Sequence, residues 1–580
     1  MSAAERGRVR GRPLRGAHWG SAPDPAPQTP EGLDVARRGR TARRRRTVRR
    51  GWVAGLVVAG LVAATGCSSD QPGKPDGPKP TAYKEGTLRV LASSELADMK
   101  PVLEQAKKAT GVTVELTSSG TLDAVDQVAS GKADGKYDAI WLSSNDYLRL
   151  RPEAAGKLAN ETPVMSSPVA IGVKPEALTR LGWQPEAVTW SKVHEAVAAG
   201  KLMYGMTDPV RSNSGFSALV SVASGLSGAQ AALTDADVKA AQPKLKEFFS
   251  GQKLTSGSSG WLASAYAKRG DVDALVNYES VLLSMNRDSK TNLQVIRPLD
   301  GVVTAHYPLT LLTSAPAGAR DSGRTLTDYL RGAQAQKAIT EQTFRRPVAS
   351  GVSPAAGLGA EKRRELPFPG SRAVADGLLA SYENELRRPS RTVYVLDTSG
   401  SMAEEDRIGR LKSALTDLTG TGTSETGHRF RDREEVTLLS FGSKVKSIHP
   451  YVVEPGKQAA SLDAIRADIK GLKPDGGTAV YSSLEAAYQH IGKGGADAFT
   501  SIVLMTDGEN TEGVGAKHFD SFYAGLPEAQ KNTPVFAVLF GDSDRKELTH
   551  ITELTGGRLF DATEGNGSLD GAFEEIRGYQ

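Results

Sequence analysis

A carboxylate and two hydroxyls are closely spaced after an apolar run in the second half of the chain. The apolar residues 392–396 are followed directly by Asp397, and Ser399 and Ser401 lie on either side of a glycine. β-Branched and aromatic residues that stop at a polar turn are typical of a buried parallel strand that meets a loop. A carboxylate and two hydroxyls on one loop offer the oxygen ligands that Mg²⁺ prefers. The stretch could therefore be part of a metal site or only a turn.

Two later loops carry oxygen ligands that could complete such a site. Thr478 follows two glycines and precedes a long helical pattern, and Asp507 follows the apolar run 500–505. In a doubly wound sheet the first and fourth strands of this region are neighbours at the switch point, so their loops share one edge. We therefore expect five residues to lie close together. They are Asp397, Ser399, Ser401, Thr478 and Asp507.

The order and spacing of these five residues resemble the von Willebrand factor type A domain with its metal-ion-dependent adhesion site. D-x-S-x-S, a threonine after Gly-Gly, and T-D-G after an apolar strand occur in the family's order within residues 388–580. The resemblance implies that Ser399 and Ser401 coordinate Mg²⁺, or another divalent cation such as Mn²⁺ or Ca²⁺, directly. It also implies that Thr478 binds the ion in the ligand-engaged state, whereas Asp397 and Asp507 act largely through water. A protein partner would then donate a carboxylate to the open coordination position.

Residues 85–350 alternate strand patterns with helical patterns. The strand patterns 87–92, 112–116 and 137–142 each end at small hydroxyl residues. This alternation predicts an open parallel α/β sheet, in which ligands bind beyond the carboxyl ends of the strands. The region resembles the two-lobed, periplasmic-binding-protein-like solute receptors of ABC importers. Further similar segments are 166–173, 204–216, 276–280, 295–309 and 344–347.

By that resemblance, six side chains would line a cleft between the two lobes. They are Ser93, Ser118, Ser119, Ser144, Ser214 and Glu279. Hydroxyl residues at strand-to-helix junctions are also common helix N-caps, so a purely structural role stays open as an alternative. No arginine pair suits a carboxylate and no aromatic row suits a sugar, so a small oxyanion or polar solute is the expected ligand. Glu279 would argue against an anion if it faced the cleft.

The amino-terminal residues 1–66 have the composition of a basic extension and an export signal. They hold 14 arginines and four acidic residues, and their last 16 residues are apolar or small before Cys67, the only cysteine. A cationic stretch followed by a short apolar run is typical of a signal peptide. Residues 64–67 resemble a bacterial lipobox, which implies lipidation of Cys67 and anchoring on the outer face of the cell membrane. The alternative is a retained membrane anchor.

The remaining segments and charges complete the predicted organisation. Residues 67–84 are a Pro-rich tether, and residues 351–387 form a connector with a helix between the two domains.

The net charge of +5 arises entirely in residues 1–66, whose excess is +10, so the rest of the chain carries −5. We therefore expect no nucleic-acid partner. The predicted fold class is α/β, with a two-lobed domain followed by a doubly wound, Rossmann-like type A domain.

The sequence contains no motif that indicates catalysis. None of the eight histidines forms H-E-x-x-H, and neither a G-x-S-x-G elbow nor a P-loop is present. We therefore expect a binding protein rather than an enzyme. The expected function is that of a lipid-anchored cell-surface protein with a metal-dependent adhesion site for protein partners and a domain for a small polar ligand. The alternative is the solute receptor of an ABC importer, with the type A domain as a docking module. A chelatase-like factor is disfavoured because ATP is scarce outside the cell.

Overall fold

Two α/β domains follow one another in the computed structural model. The structure describes residues 86–270, 272–421, 429–492, 498–541, 543–563 and 569–579. These residues belong to a single compact unit. The predicted signal, the tether and the lipidation of Cys67 lie outside the described residues and stay predictions. Within the described ranges, no helix is both long and apolar enough to cross a membrane.

The first domain is built from short strands that alternate with helices. Its strands are β1 (Thr87–Ser93), β2 (Thr113–Ser119), β3 (Ala139–Trp141), β4 (Leu158–Pro163), β5 (Ser167–Val173), β6 (Tyr204–Thr207), β7 (Gln252–Ser256), β8 (Ala274–Tyr278), β9 (Gln294–Ile296), β10 (Thr304–Ala305) and β11 (Pro308–Leu312). Its helices are α1 (Lys100–Thr110), α2 (Thr121–Ala129), α3 (Asp146–Arg149), α4 (Pro175–Leu181), α5 (Trp190–Ala198), α6 (Asn213–Ser227), α7 (Asp235–Ser250), α8 (Ser259–Arg269), α9 (Glu279–Asp288), α10 (Ala317–Arg331) and α11 (Ala333–Thr343).

The strands of this domain form two separate sheets, so the domain has two lobes. One sheet has the order β2-β1-β3-β11-β4, and the other has the order β10-β5-β8-β6-β7 with β9 also paired to β5. We call residues 86–165 and 307–345 lobe 1 and residues 167–305 lobe 2. The chain crosses into lobe 2 just before β5 and returns between β10 and β11. The predicted two-lobed arrangement is confirmed.

A connector of residues 346–389 leads to the second domain and contains one helix, α12 (Arg372–Ser381). The helix begins where the Ser371 hydroxyl accepts a hydrogen bond from the backbone amide of Val374, which satisfies one amide of the first turn. It ends in a π-helical turn at Tyr382–Leu386. The connector therefore enters the second domain as a helical segment.

The second domain is a six-stranded sheet with helices on both faces. Its strands are β12 (Ser390–Asp397), β13 (Glu435–Phe441), β14 (Val445–Val452), β15 (Phe499–Thr506), β16 (Val535–Leu539) and β17 (Arg558–Asp561). Its helices are α13 (Arg407–Thr416), α14 (Gln458–Gly471), α15 (Val480–Ile491), α16 (Ala516–Ala524), α17 (Glu528–Lys531), α18 (Arg545–Thr555) and α19 (Leu569–Arg577).

The strand order β14-β13-β12-β15-β16-β17 confirms the predicted doubly wound sheet. β12 pairs in parallel with both β13 and β15, so the first and fourth strands are neighbours at the switch point. β12 is buried along its whole length because its side chains enter two cores. Val393 and Val395 pack in one core, and Tyr394 and Leu396 pack in the other. This explains why the sequence shows a continuous apolar run rather than an alternating one.

Candidate functional site

The first loop of the candidate metal site follows β12 and is ordered by Asp397. The backbone amide of Ser399 donates to Asp397 Oδ1 over 2.7 Å. The hydroxyl of Thr506 at the end of β15 donates to Oδ2 over 2.6 Å. Burial raises the pKa of Asp397, and the hydrogen bonds from Thr506 and Ser399 oppose that rise. Both carboxylate oxygens are therefore engaged within the protein, an arrangement that suits a role behind hydroxyls that would coordinate a cation directly.

The other predicted ligands lie at the same sheet edge. The hydroxyl oxygens of Ser399 and Ser401 lie 3.0 Å apart, and Ser401 Oγ donates to Asp507 Oδ1 over 2.9 Å. A Cβ atom added to Gly508 would lie 3.6 Å from Thr478 Oγ1 and 3.9 Å from Ser401 Oγ. The Thr478 hydroxyl thus faces the same point as the Ser401 hydroxyl. The structure brings the five predicted residues together from three loops.

Backbone and lysine contacts hold the first two loops against each other. The amide of Gly400 donates to the carbonyl of Gly476 over 2.8 Å. Lys446 Nζ donates to the carbonyls of Thr398 and Asp475, each over 2.8 Å. Gly476 has a φ of +84°, and a Cβ there would lie 2.9 Å from the hydroxyl of Ser443. The Gly-Gly pair before Thr478 is therefore required by this close approach.

Arg407 is a site residue that the sequence analysis missed. Its Nη1 donates to Asp507 Oδ2 over 2.9 Å, and the side chain is buried. The guanidinium carbon would lie 3.1 Å from a Cβ on Gly541, so it is packed under the loop after β16. Arg407 begins α13 after two residues in the left-handed region, Glu405 (φ 48°) and Asp406 (φ 55°). No local sequence signal distinguishes it from Arg410, the other arginine of that helix.

The donor set fits a hard divalent cation. Hydroxyl and carboxylate oxygens are the ligands that Mg²⁺ and Ca²⁺ take. Within the part of the chain that the structure describes, no three His, Cys, Asp or Glu side chains lie together as a metal site. A cation here would therefore be held by Ser399, Ser401 and Thr478, with Asp397 and Asp507 behind them. Neutral ligands leave most of the charge of the cation available to an incoming anion.

Two of the predicted cleft residues lie in networks of hydroxyl groups inside their lobes. In lobe 1, Ser93 Oγ lies 3.1 Å from the Thr121 hydroxyl and accepts from the amide of Ser143 over 3.0 Å. In lobe 2, Ser214 Oγ lies 2.8 Å from the Thr207 hydroxyl and 2.7 Å from the Ser259 hydroxyl. These networks connect the loops that follow neighbouring strands within each lobe.

The other predicted hydroxyl residues of lobe 1 differ from one another in surroundings. Ser118 and Ser119 line a cavity of about 420 Å³ between the lobes, which Arg211 also lines. Ser144 instead bonds within its own turn, because its hydroxyl accepts from the amide of Asp146 over 2.9 Å and donates to that carboxylate over 2.7 Å. The N-cap residue of α3 is Asn145, so these contacts order the turn that precedes the helix.

Glu279 forms a buried ion pair with two arginines. Arg346 donates to both of its carboxylate oxygens over 2.8 Å, and Arg297 Nε lies 3.2 Å from Oε1. Its negative charge is therefore balanced within the protein. The objection that Glu279 would repel an anionic solute does not hold for this arrangement.

Comparison with known families agrees with both domains. Residues 88–345 match the model of the bacterial extracellular solute-binding protein family, and residues 392–509 match that of the von Willebrand factor type A domain. The chain therefore joins a domain of the extracellular solute-binding family to a type A domain. The family matched by residues 88–345 is extracellular, which implies export to the periplasm or the cell surface.

Curated relatives match only part of the chain and of themselves. An uncharacterized protein of Synechocystis sp. is 30% identical over 131 residues, 23% of this chain and 28% of the relative. Calcium-activated chloride channel regulator 1 of Sus scrofa is 32% identical over 182 residues, 30% of this chain and 18% of the relative. An uncharacterized protein of Escherichia coli is 26% identical over 204 residues, 35% of this chain and 32% of the relative. The chain thus spans less than a third of the length of these relatives.

Solved structures similar to part of the chain include periplasmic binding proteins. The periplasmic binding protein AfuA from Actinobacillus pleuropneumoniae has a TM-score of 0.43 and 13% identity, and covers 52% of this chain and 98% of its own. A periplasmic thiamin binding protein has a TM-score of 0.41 and 14% identity, and the match covers 52% of this chain and 97% of that protein. The sulfate-binding protein SubI from Mycobacterium tuberculosis has a TM-score of 0.39 and 17% identity, with 51% and 97% covered.

Proposed function

We propose that this chain is an exported, lipid-anchored binding protein whose type A domain binds a protein partner through a divalent cation. The cation, Mg²⁺ or a similar ion, is held by Ser399, Ser401 and Thr478. A carboxylate of the partner takes the open coordination position. The lipid anchor is Cys67, which keeps the bulk of the chain on the outer face of the cell membrane.

One observation carries the metal-dependent role. Ser401 Oγ lies within hydrogen-bond distance of both Ser399 and Asp507, so it joins residues of the β12 and β15 loops. Adjacent loops at the switch point of a parallel sheet are where such folds bind ligands. Neutral oxygen donors on these loops support recognition of an anionic group through the cation, because the ion retains its charge.

Mg²⁺ titration of the purified, EDTA-stripped chain tests this proposal. Asp397→Ala should weaken Mg²⁺ binding by roughly 10- to 100-fold, the usual cost of losing a group that orients metal ligands. Asp475→Asn is the matched control, since it removes a charge from the neighbouring loop but leaves the five site residues intact. The same Mg²⁺ affinity in the parent, Asp397→Ala and Asp475→Asn would contradict the proposal.

Retention of partners from cell-envelope extract tests the adhesion role. EDTA and Asp397→Ala should each abolish retention, whereas Asp475→Asn should retain the partner as the parent does. Retention that is unchanged by both chelation and Asp397→Ala would exclude binding through the metal.

We further propose that the first domain binds a small polar solute or oxyanion. Support comes from the balanced charge of Glu279 and from the cavity lined by Ser118, Ser119 and Arg211. Titration calorimetry of the full chain with sulfate and inorganic phosphate tests the oxyanion class. We expect the parent to give a heat of binding and the double variant Ser118→Ala with Ser119→Ala to give none. No heat with either anion would exclude these oxyanions.

A further inference from the structure

The connector is bonded to lobe 1 through the exposed face of α12. The hydroxyl of Tyr147 donates to Asp376 Oδ1 over 2.7 Å. Arg372 Nη1 lies 3.1 Å from Glu153 Oε1, and Arg372 Nε donates to Asp376 Oδ2 over 3.1 Å. Two residues of the connector thus hold two residues of lobe 1.

The same connector also packs against lobe 2. The ring of Tyr382 meets Phe249 of α7 edge-on at 5.1 Å between centroids, and its hydroxyl donates to Gln252 Oε1 over 3.4 Å. Upstream of α12, the ring of Phe368 lies 5.1 Å from that of Phe216 in α6. The connector therefore contacts both lobes and passes from one to the other.

The type A domain contacts the loop that follows β6 in lobe 2 through a buried ion pair. Arg431 Nη1 lies 3.4 Å from Asp208 Oδ2, and Arg431 Nε lies 3.2 Å from Glu383 of the connector. The carbonyl of Asp208 accepts from the amides of Arg211 and Ser212, so Asp208 organises the turn that leads to Ser214. Arg431 thus joins the type A domain, the connector and lobe 2.

The loop after β7 and the first turn of α8 in lobe 2 contact the residues that follow α19. The rings of Trp261 and Tyr579 lie 4.1 Å apart. A Cβ on Gly578 would lie 2.6 Å from Gly257 Cα, so the two backbones are in direct contact. This loop ends at Ser259, whose hydroxyl bonds that of Ser214. Both loops around Ser214 are therefore in contact with the type A domain.

The two lobes also contact each other directly beside these ties. Arg211 of lobe 2 lies 3.3 Å from Asp123 of lobe 1. A Cβ on Gly120 would lie 2.8 Å from the carbonyl of Arg211. The adjacent cavity has walls from both lobes and from Arg558 and Glu575 of the type A domain. The interlobe boundary is thus covered by residues from outside the solute-binding domain.

We propose that the connector and the type A domain tie the two lobes together, so that their closed arrangement does not depend on a bound solute. Opening would separate the buried charges of Arg431 and Asp208 or pull α12 from one lobe, and unpairing buried charges is unfavourable. Covalent connection keeps all partners at high effective concentration. A solute would then enter through the cavity at the junction or when the type A domain moves. This inference is independent of the metal site.

Distance measurement by double electron–electron resonance tests the proposal. The full chain with Cys67→Ser has no other cysteine, so spin labels can be placed by Lys108→Cys in lobe 1 and Glu195→Cys in lobe 2. Both positions are exposed helix residues. The parent should show a single narrow interlobe distance, with or without added sulfate.

Two variants release the ties to the two lobes. Arg372→Ala with Asp376→Ala removes the bonds to lobe 1, and Trp261→Ala removes the ring contact with Tyr579. When the two variants are combined, a second population should appear whose interlobe distance is longer than that of the parent by more than about 2 Å. Arg180→Ala is the control, since it breaks an exposed ion pair with Asp273 inside lobe 2 and should not change the distance. Two distances in the parent, or one unchanged distance in the combined variant, would overturn the proposal.

Discussion

Arg407 and Ser401 bind opposite oxygens of the same carboxylate, that of Asp507. Ser401 Oγ donates to Oδ1 and Arg407 Nη1 donates to Oδ2, both over 2.9 Å. Asp507 is thereby fixed between the proposed cation position and a buried positive charge. The guanidinium balances one of the two carboxylates of the site, which leaves a formal charge of −1 among Asp397, Asp507 and Arg407.

Replacing Arg407 should tighten cation binding. Arg407→Gln removes a positive charge that opposes the cation, and the amide can still donate to Asp507. We expect Mg²⁺ affinity to rise by roughly three- to tenfold, a size consistent with one screened nearby charge. Titration calorimetry measures the Mg²⁺ affinity, and Arg410→Gln on the exposed side of α13 is the control. Weaker binding in Arg407→Gln than in Arg410→Gln would show that Arg407 acts by positioning Asp507 instead.

Thr478 should separate cation binding from partner binding. Thr478→Val keeps the shape of the side chain but removes the hydroxyl that we propose coordinates the ion when a partner is bound. We expect partner retention to fall by roughly tenfold, or about 1.4 kcal/mol, with a smaller loss of Mg²⁺ affinity. Thr478→Ser keeps a hydroxyl and should behave as the parent. Equal losses in the valine and serine variants would argue against a role for this hydroxyl.

The sequence allowed prediction of those features that depend on local pattern. β12 enters two cores, so residues 392–396 form a continuous apolar run, and the run ends where the candidate metal-binding loop begins. The doubly wound order then brings the loops of β12 and β15 to one edge. Because strand pattern, turn residues and strand order agree, the meeting of Ser401 and Asp507 follows from the sequence.

Contacts between distant buried charges could not be predicted in this way. Arg431 and Asp208 are 223 residues apart in the chain and belong to different domains. Glu279 pairs with Arg297 of lobe 2 and with Arg346 at the start of the connector. A charged residue shows no periodicity that reveals its partner, so only the assembled tertiary structure identifies these pairs. The resemblance to solute receptors predicts Glu279 as a cleft residue, and the structure shows its charge balanced by the two arginines.

Glu279 should contribute more to stability than to solute binding. Glu279→Gln leaves Arg297 and Arg346 without their buried counter-charge, and breaking such a pair typically costs about 3–5 kcal/mol. We expect the urea midpoint of the chain to fall in Glu279→Gln, with no change in the midpoint of Glu361→Gln. Glu361→Gln is the matched control, because Glu361 pairs with the same Arg297 but is exposed. Equal effects of the two substitutions would contradict the structural role.

The stability of the type A domain should depend on pH through Glu434. Its carboxylate is buried and contacts Arg387 over 2.8 Å and Arg577 over 2.9 Å. Burial opposes ionisation, but Arg577 and Arg387 hold the pKa of Glu434 below its ordinary value of 4.5. The unfolded chain therefore binds this proton more tightly than the folded one. The stability that Glu434 contributes is present above about pH 4.5 and is lost as the pH falls through the lower folded pKa.

Comparing the parent with Glu434→Gln isolates this contribution from that of other acidic groups. At about pH 6 the variant should be less stable by about 3 kcal/mol, because Arg387 and Arg577 lose their buried counter-charge. The difference in unfolding free energy should shrink as the pH falls below about 4.5, because the unfolded parent then takes up a proton that the folded carboxylate resists. Urea denaturation of the type A domain at several pH values measures it, with the exposed Glu528→Gln as control. A difference that stays constant from pH 6 to pH 3 would show that the charge of Glu434 does not stabilise this domain.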